Sequence, residues 1–303
     1  MRISVIISTF SIDRVELVKN SIRSLLVQTL KPDEILLVLD SDKELLQFYK
    51  SNISDGVKII DSETTGLSNA RNVGIKYAQG EVVAFIDDDA EADSHWIETI
   101  LENFKKEDVL VVGGIVKPLW PDKRPIWFPE ELNWIIGCTY KGHPENLGFI
   151  RNPIGCNMSF KKDVFKKIGY FRSDIGRYGK KLMDAEEVEI SMRIIKNFPN
   201  SKILYDPANI VYHHVSENRV KLSYIIKRSY YQGISKAILS NFYSYKSFSS
   251  EKNYIRYIFK SSIINRIKNI HRLENISQLL VLFLSISCVI IGFFKERILK
   301  SSI

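Results

Sequence analysis

Short apolar runs alternate with amphipathic stretches along the first 90 residues. Ile3 to Ser8 reads ISVIIS, Ile35 to Leu39 reads ILLVL, Val57 to Ile60 reads VKII, and Val82 to Ile86 reads VVAFI. Each run is short and rich in branched side chains, so each predicts a strand. Between them, amphipathic and polar stretches read as helices. A helix is predicted from Asp13, as N-cap, to about Gln28, with Pro32 as its breaker. A polar helix follows the second strand. A third helix is predicted over Gly66 to Ala78, with Ser68 near its start and Gly80 closing it. Apolar strands between amphipathic helices imply an α/β fold whose parallel sheet is covered on both faces. Ligands of such sheets bind beyond the carboxyl ends of the strands. The residues at those ends are Thr9, Asp40 and the run Asp87-Asp88-Asp89.

The middle of the chain is less regular. Lys117 to Trp134 holds Pro118, Pro121, Pro125 and Pro129 together with Trp120, Trp127 and Trp134. It reads as an ordered loop region with aromatic anchors. Gly179 to Ala185 reads as a loop leading into a helix near Glu186. In the strand-like Val211 to Val215, His213 shares a face with Val211 and Val215, while His214 faces the other way. No internal repeat or low-complexity tract is present.

Leu279 to Phe294, LLVLFLSISCVIIGFF, is apolar almost throughout. As a helix it rises roughly 24–29 Å, depending on whether Ile276 is counted as its start, slightly short of a hydrocarbon core. A buried core helix is one reading. Arg266, Lys268 and Arg272 on one side and Lys295, Arg297 and Lys300 on the other favour membrane attachment. Both spanning and surface-lying arrangements are compatible with this pattern.

Composition adds further constraints. A chain of 303 residues has room for one large α/β domain plus an appendage, or for two small domains. With 45% hydrophobic and 26% charged residues it has the makings of a core and is not a disordered chain. The net charge of +8 is concentrated late. From Arg219 to Arg272, roughly twelve Lys or Arg stand against the single acid Glu251, the composition of a surface-binding segment. The three cysteines, Cys138, Cys156 and Cys288, are widely spaced, so a reducing compartment is expected. Met1-Arg2-Ile3-Ser4 enters a strand directly and has no signal-peptide layout.

Three adjacent carboxylates repel one another and require a cation or other strong compensation. Their hard oxygens suit Mg²⁺ or Mn²⁺, and an ion there would stabilise charge on a leaving diphosphate. A solvated turn before a helix at Ser94 is the competing reading of the same residues. The context adds to the case. Thr65-Gly66-Leu67-Ser68-Asn69-Ala70-Arg71-Asn72-Val73-Gly74 is followed by Gly80-Glu81-Val82-Val83-Ala84-Phe85-Ile86-Asp87-Asp88-Asp89. This joint run resembles the family 2 glycosyltransferases, which have a GT-A fold. The resemblance covers about the first 215 residues.

The resemblance implies a fold, a division of the chain and a set of roles. The fold would be α/β, a Rossmann-like, mixed but mainly parallel sheet with helices on both faces, followed by a helical membrane-associated tail. Residues 1–118 would be the nucleotide-sugar half, 119–215 the acceptor and catalytic-base half, and 216–303 the basic tail with its apolar segment 279–294. Asp87 and Asp89, with His213 as a further ligand, would hold Mg²⁺ or Mn²⁺. Thr9, Asp40, Arg71, Asp87 and Asp88 would bind the UDP-sugar donor. The family's Asp-Asp-Gly-Ser is here Asp40-Ser41-Asp42. Asn157-Met158-Ser159-Phe160 with Phe171 matches the acceptor half. Ala185-Glu186-Glu187-Val188-Glu189 matches the segment that supplies the base, with Glu187 where the family has aspartate. Glu187 would then be the catalytic base of an inverting transfer. A helix N-terminus decorated with acids, a surface Arg71 and a half-buried structural His213 are the alternative readings of these residues.

A narrower similarity lies in Trp127 to Leu132, Ile136 to Gly142, Arg151 to Phe160 and Gln232-Gly233-Ile234-Ser235-Lys236. These resemble archaeal glucosyl-dolichyl phosphate glucuronosyltransferases. The implied partners are a nucleotide sugar, a lipid-linked saccharide acceptor and an anionic membrane surface at the cytoplasmic face, with no nucleic acid. Extension of a cell-surface polysaccharide would use the same donor site. A sugar-1-phosphate nucleotidyltransferase would need a glycine-rich basic loop after the first strand, and Thr9-Phe10-Ser11-Ile12-Asp13 is not one. A nucleic-acid-binding role is permitted by the basic tail but opposed by the acidic cluster.

Overall fold

The computed structural model describes residues 1–53, 56–176, 182–243 and 249–301. These divide into two compact units. The first comprises residues 1–53, 56–117, 145–176 and 186–214; the second comprises 118–144, 182–185, 215–243 and 249–301.

In chain order, the first unit begins with β1 (Ile3–Thr9), α1 (Val15–Leu26), β2 (Glu34–Leu39), α2 (Lys43–Asn52), β3 (Val57–Asp61), α3 (Leu67–Tyr77) and β4 (Val82–Asp87). It continues with β5 (Ala90–Ala92), α4 (Trp96–Phe104), β6 (Val109–Leu119), β7 (Gly148–Phe149), β8 (Met158–Lys161), α5 (Val164–Ile168), α6 (Glu186–Asn197) and β9 (Lys202–His214). The nine strands form one sheet in the order β3-β2-β1-β4-β8-β6-β9-β5, with β7 pairing to β9. β1 runs parallel to β2 and β4, and β2 runs parallel to β3. Beyond β4 the described pairings are antiparallel. The sheet is therefore mixed, with the parallel strands expected from the sequence and an antiparallel extension.

Alternation along the strands builds both faces. Ile6, Leu36, Val38, Val83 and Phe85 join one buried cluster with Ala70 and Ile75 of α3, Val164 and Phe165 of α5, and Ile190 and Ile194 of α6. The intervening Val5, Ile7, Leu37, Leu39 and Ile86 are also buried, and alternation turns them to the other face. In the cluster, Phe85 meets Phe160 and Phe171 edge-on, with ring centroids 5.9 and 5.6 Å apart. Such pairs add about 0.5–1.5 kcal/mol each beyond their burial.

Three local expectations are corrected. Ser11, not Asp13, caps the entry to the first helical segment: its side chain accepts from the Asp13 amide, and a 3-10 turn over Ile12–Arg14 precedes α1. That helix stops at Leu26, before Pro32 can act on it. α3 ends at Tyr77 with Ala78 as C-cap, so Gly80 does not close it. A Cβ on Gly80 would lie 2.7 Å from the Ser4 amide nitrogen, and glycine there lets the chain pass close to β1. Residues 179–181 of the expected loop, Gly179 to Ala185, lie outside the described residues. The remaining four, 182–185, carry no regular structure, and α6 starts at Glu186 as expected.

The second unit is helical. A 3-10 segment over Glu130–Ile136 buries Leu132, Ile135 and Ile136, and Gly137 closes it at φ +82°, a conformation glycine adopts freely. The aromatic anchors are in place: Phe128 is fully buried and meets Trp120 and Trp127 edge-on. Then come α7 (Leu222–Leu239), α8 (Ser249–Tyr257), a π-helical segment over Ile258–Ser262, α9 (Ile263–Lys268) and α10 (Leu273–Ser301). The Arg266 guanidinium grips both oxygens of buried Glu131, at 2.9 and 2.8 Å. α10 is long and apolar enough to cross a membrane by length and composition. The three cysteines are buried.

Candidate active site

The parallel strands deliver their carboxyl ends to one edge, and β4 ends in the acidic run. Asp87 continues the alternation of Val83 and Phe85, so it falls on the side of α3. There Arg71 Nη2 stands 3.4 Å from Asp87 Oδ1. The same guanidinium donates to Glu186 Oε1 at 3.1 Å and to the Gly155 carbonyl at 3.3 Å, between the rings of Phe85 and Phe171. Arg71 is only 3% exposed, so it is a buried bridge and not a surface residue. Its neighbour Asn72 exchanges two hydrogen bonds with the backbone of Phe171, at 2.8 and 2.9 Å. The Ala-Arg-Asn run thus ties α3 to both the strand end and the segments around Gly155 and Phe171.

Asp88 turns away from Arg71. It accepts from the Thr9 hydroxyl at 2.6 Å and receives a two-pronged grip from Arg14, each contact 2.6 Å. Arg14 Nη2 also reaches Asp89 Oδ2 at 2.8 Å. Burial opposes the charge on Arg14, but hydrogen bonds and attraction from Asp88 and Asp89 outweigh it and raise its pKa above the ordinary value. Arg14 is a site residue absent from the sequence-based set. Its partner is 74 residues away, and no local pattern marks the pairing.

Asp89 meets His213 because β5 and β9 pair with Ala90 opposite His213. The His214 amide donates to the Asp89 carbonyl at 2.8 Å, fixing this corner. His213 Nε2 then lies 3.2 Å from Asp89 Oδ1. His214, on the opposite face as its alternation predicts, pairs instead with Glu91 at 2.6 Å. One ligand atom each from Asp87, Asp89 and His213 lies within 4.8 Å of the others. Two carboxylates and an imidazole are a donor set that fits Mn²⁺ or Mg²⁺.

Asp40 stands apart from this acidic group. It accepts the Gly66 amide at 2.7 Å, linking the end of β2 to the start of α3. Burial raises its pKa, and the Gly66 hydrogen bond works against that rise. Asn157, from the expected acceptor stretch, is fully buried. It accepts from Trp96 Nε1 at 2.9 Å and donates to the carbonyls of Ile115 and Asn209, so it joins α4 to β6 and β9.

On α6, Glu186 and Glu189 share the buried face, as the i, i+3 spacing predicts. Glu186 reaches Arg71, and Glu189 pairs with Arg193 at 2.6 Å. Glu187 projects elsewhere and is half-buried. Ala185, just before the helix, has φ +94°, a strained value for a residue with a side chain. The structure thus gathers Thr9, Arg71, Asp87, Asp88, Asp89 and His213 into one charged network. Asp40 stays outside it, held to Gly66 at the start of α3, and Glu187 is adjacent in the chain to the Arg71-bound Glu186.

Comparison with known proteins bears on the family and the fold. Residues 4–169 match the family model described as Glycosyl transferase family 2. A glucosyl-dolichyl phosphate glucuronosyltransferase of Haloferax volcanii is 33% identical over 301 residues, 97% of this chain and 95% of that protein. A succinoglycan biosynthesis protein, ExoM, of Rhizobium meliloti is 23% identical over 65% of this chain and 62% of its own. Among solved structures, S. aureus TarS 1-349 in complex with UDP-GlcNAc superposes with a TM-score of 0.53 at 16% identity, over 95% of this chain and 82% of that one. GalNAc-T7 with UDP, GalNAc and Mn²⁺ does so with a TM-score of 0.54 at 17% identity, over 84% of this chain and 53% of that one. These two likenesses concern the fold, which is the expected GT-A architecture. The family match covers more than half of the chain and a relative is similar end to end, so this protein is a glycosyltransferase and belongs to glycosyl transferase family 2.

Proposed function

We propose that this glycosyltransferase is an inverting, metal-dependent enzyme that moves a sugar, glucuronate foremost, from a UDP-sugar to a polyprenyl- or dolichyl-phosphate-linked saccharide. The observation that carries the acceptor and donor reading is the 33% identity to the Haloferax glucuronosyltransferase over nearly the whole of both chains. Asp87, Asp89 and His213 would hold Mn²⁺ or Mg²⁺, whose positive charge would offset that of the donor diphosphate. Arg14, braced by Asp88 and Thr9, holds Asp89 in place. Asp40 would hold the nucleoside. Arg71 would add positive charge beside Asp87. Glu187 would accept the proton of the attacking acceptor hydroxyl. Residues 1–118 and 119–215 would form the donor and acceptor halves, and 216–303 the attachment to the cytoplasmic face of the membrane. The basic segment and apolar α10 support a lipid-borne acceptor on physical grounds.

The test is transfer from labelled UDP-glucuronate to glucosyl-dolichyl phosphate in detergent. Label appearing in the organic phase after solvent extraction is the expected result. Label confined to water-soluble polymer would favour polysaccharide extension instead.

A further inference from the structure

In the second unit, α7 and α10 pack through small residues. Ser229 Oγ lies 2.8 Å from Ser285 Oγ. A Cβ on Gly233 would fall 2.0 Å from the Val289 carbonyl oxygen, and one on Gly292 would fall 2.1 Å from that of Tyr230. The contacts advance together along both helices, 229 with 285 and 233 with 289, so the helices run parallel and in close backbone contact.

This register puts charge beside the apolar stretch of α10. Lys227 and Arg228 immediately precede Ser229 and Tyr230, which meet Ser285 and Gly292, so they stand alongside residues 283–290, the middle of that stretch. Lys227 is exposed. Arg228 is buried against Asp184, and further along α7 Lys236 pairs with Glu251. If α10 spanned the bilayer with α7 against it, exposed Lys227 and the Arg228–Asp184 pair would sit at hydrocarbon depth, a location that strongly disfavours them.

The face of α10 away from α7 has the opposite character. Ile276, Leu280, Phe283, Ile291, Phe294 and Ile298 recur every three or four residues, apart from the gap at Ser287, and all are exposed, Leu280 at 66%. α8, α9 and the π-helical segment between them show a second such pattern. Exposed Ile255, Phe259 and Ile267 are interleaved with Lys252, Arg256, Lys260 and Lys268. Apolar side chains flanked by cations match the surface of an anionic bilayer, with acyl chains below and phosphates above.

We propose that α10 is a monotopic anchor that lies in one leaflet of an anionic bilayer. Its exposed stripe faces the acyl chains, α7 covers its other side, and both of its ends remain on the same side of the membrane. This rests on the membrane attachment put forward above and decides between its two forms.

The test uses the full-length protein in sealed membrane vesicles from expressing cells. Single cysteines are introduced by Glu274→Cys and Arg297→Cys, and a membrane-impermeant maleimide is applied. The native cysteines, all buried, set the background. Both positions should label from the same side, with no gain at either on permeabilisation. Labelling from opposite sides would show spanning and overturn the proposal while preserving membrane attachment. Protein that fails to sediment with the vesicles would overturn attachment itself. A Leu280→Lys/Phe283→Lys variant supplies a second readout. Its binding to vesicles containing anionic lipid should fall at least tenfold, with UDP release in detergent unchanged as the check on folding. Unchanged vesicle binding would contradict the proposed stripe.

Discussion

The acidic run at the end of β4 assigns different work to each of its three residues. Asp87 and Asp89 turn toward His213, whereas Asp88 is consumed by Thr9 and Arg14. Arg14→Ala would leave buried Asp88 without its cation. The loss should be roughly 3 kcal/mol, since breaking a buried pair costs far more than a surface one. Urea unfolding of Arg14→Ala measures it, and an unchanged midpoint would show that Asp88 finds compensation elsewhere. Glu187→Gln tests the proposed base. Turnover should fall by roughly 10²–10⁴-fold while UDP binding, followed by calorimetry, is retained. Full turnover in that variant would remove Glu187 from the chemistry. Much of this site was legible in the sequence. The Asp-Asp-Asp run follows a strand, and the period of two in Val211 to Val215 already separated His213 from His214. Arg14 was not legible, because its function depends on two strands being neighbours in space. Nor did the sequence announce that Arg71 is buried between Phe85 and Phe171.

At the scale of elements, the parallel half of the sheet was legible, whereas of the antiparallel half only the end of β9 was, as the strand-like Val211 to Val215. β1 to β4 are apolar runs bounded by helices that propensity and periodicity both support. β6 contains Gly113, Gly114 and Pro118, β9 contains Asp206-Pro207, and β5 and β7 are three and two residues long. Their strand character comes from pairing partners far along the chain. Gly114 shows the cost of that pairing: a Cβ there would lie 1.9 Å from the Asn209 carbonyl oxygen. Gly114→Ala should therefore destabilise the first unit by about 1–3 kcal/mol, through forced separation of β6 and β9, as read by denaturant unfolding. In the second unit, the Glu131–Arg266 pair has a defined pH signature. Burial pushes the Glu131 pKa up, but hydrogen bonds from Arg266 and Ser262 and the charge of Arg266 win, so the pKa is lowered. A lowered carboxylate pKa contributes stability above its unfolded value of about 4.3, and that stability is lost as pH falls through the folded value. Glu131→Gln should be less stable than wild type at pH 7, and the gap should close as pH drops below about 4. A gap independent of pH would mean that packing, not the charge, is what Glu131 supplies.

For the whole molecule, a sheet edge carrying acids and a basic, apolar-striped helical unit sit in one chain. Arg14 and Arg71 already balance part of the acids' charge, a cation held by Asp87, Asp89 and His213 would let a nucleotide diphosphate approach, and the proposed lipid-borne acceptor fits the helical unit. Metal dependence is thus the central claim, and UDP release measures it most directly. The protein is incubated with a panel of UDP-sugars, with Mn²⁺ or Mg²⁺ and then with chelator. Release from one sugar, expected to be UDP-glucuronate, should require the cation, stop with chelator and fall steeply in Asp89→Asn and His213→Ala. Release that persists unchanged in chelator and in both variants would contradict a metal held by Asp87, Asp89 and His213.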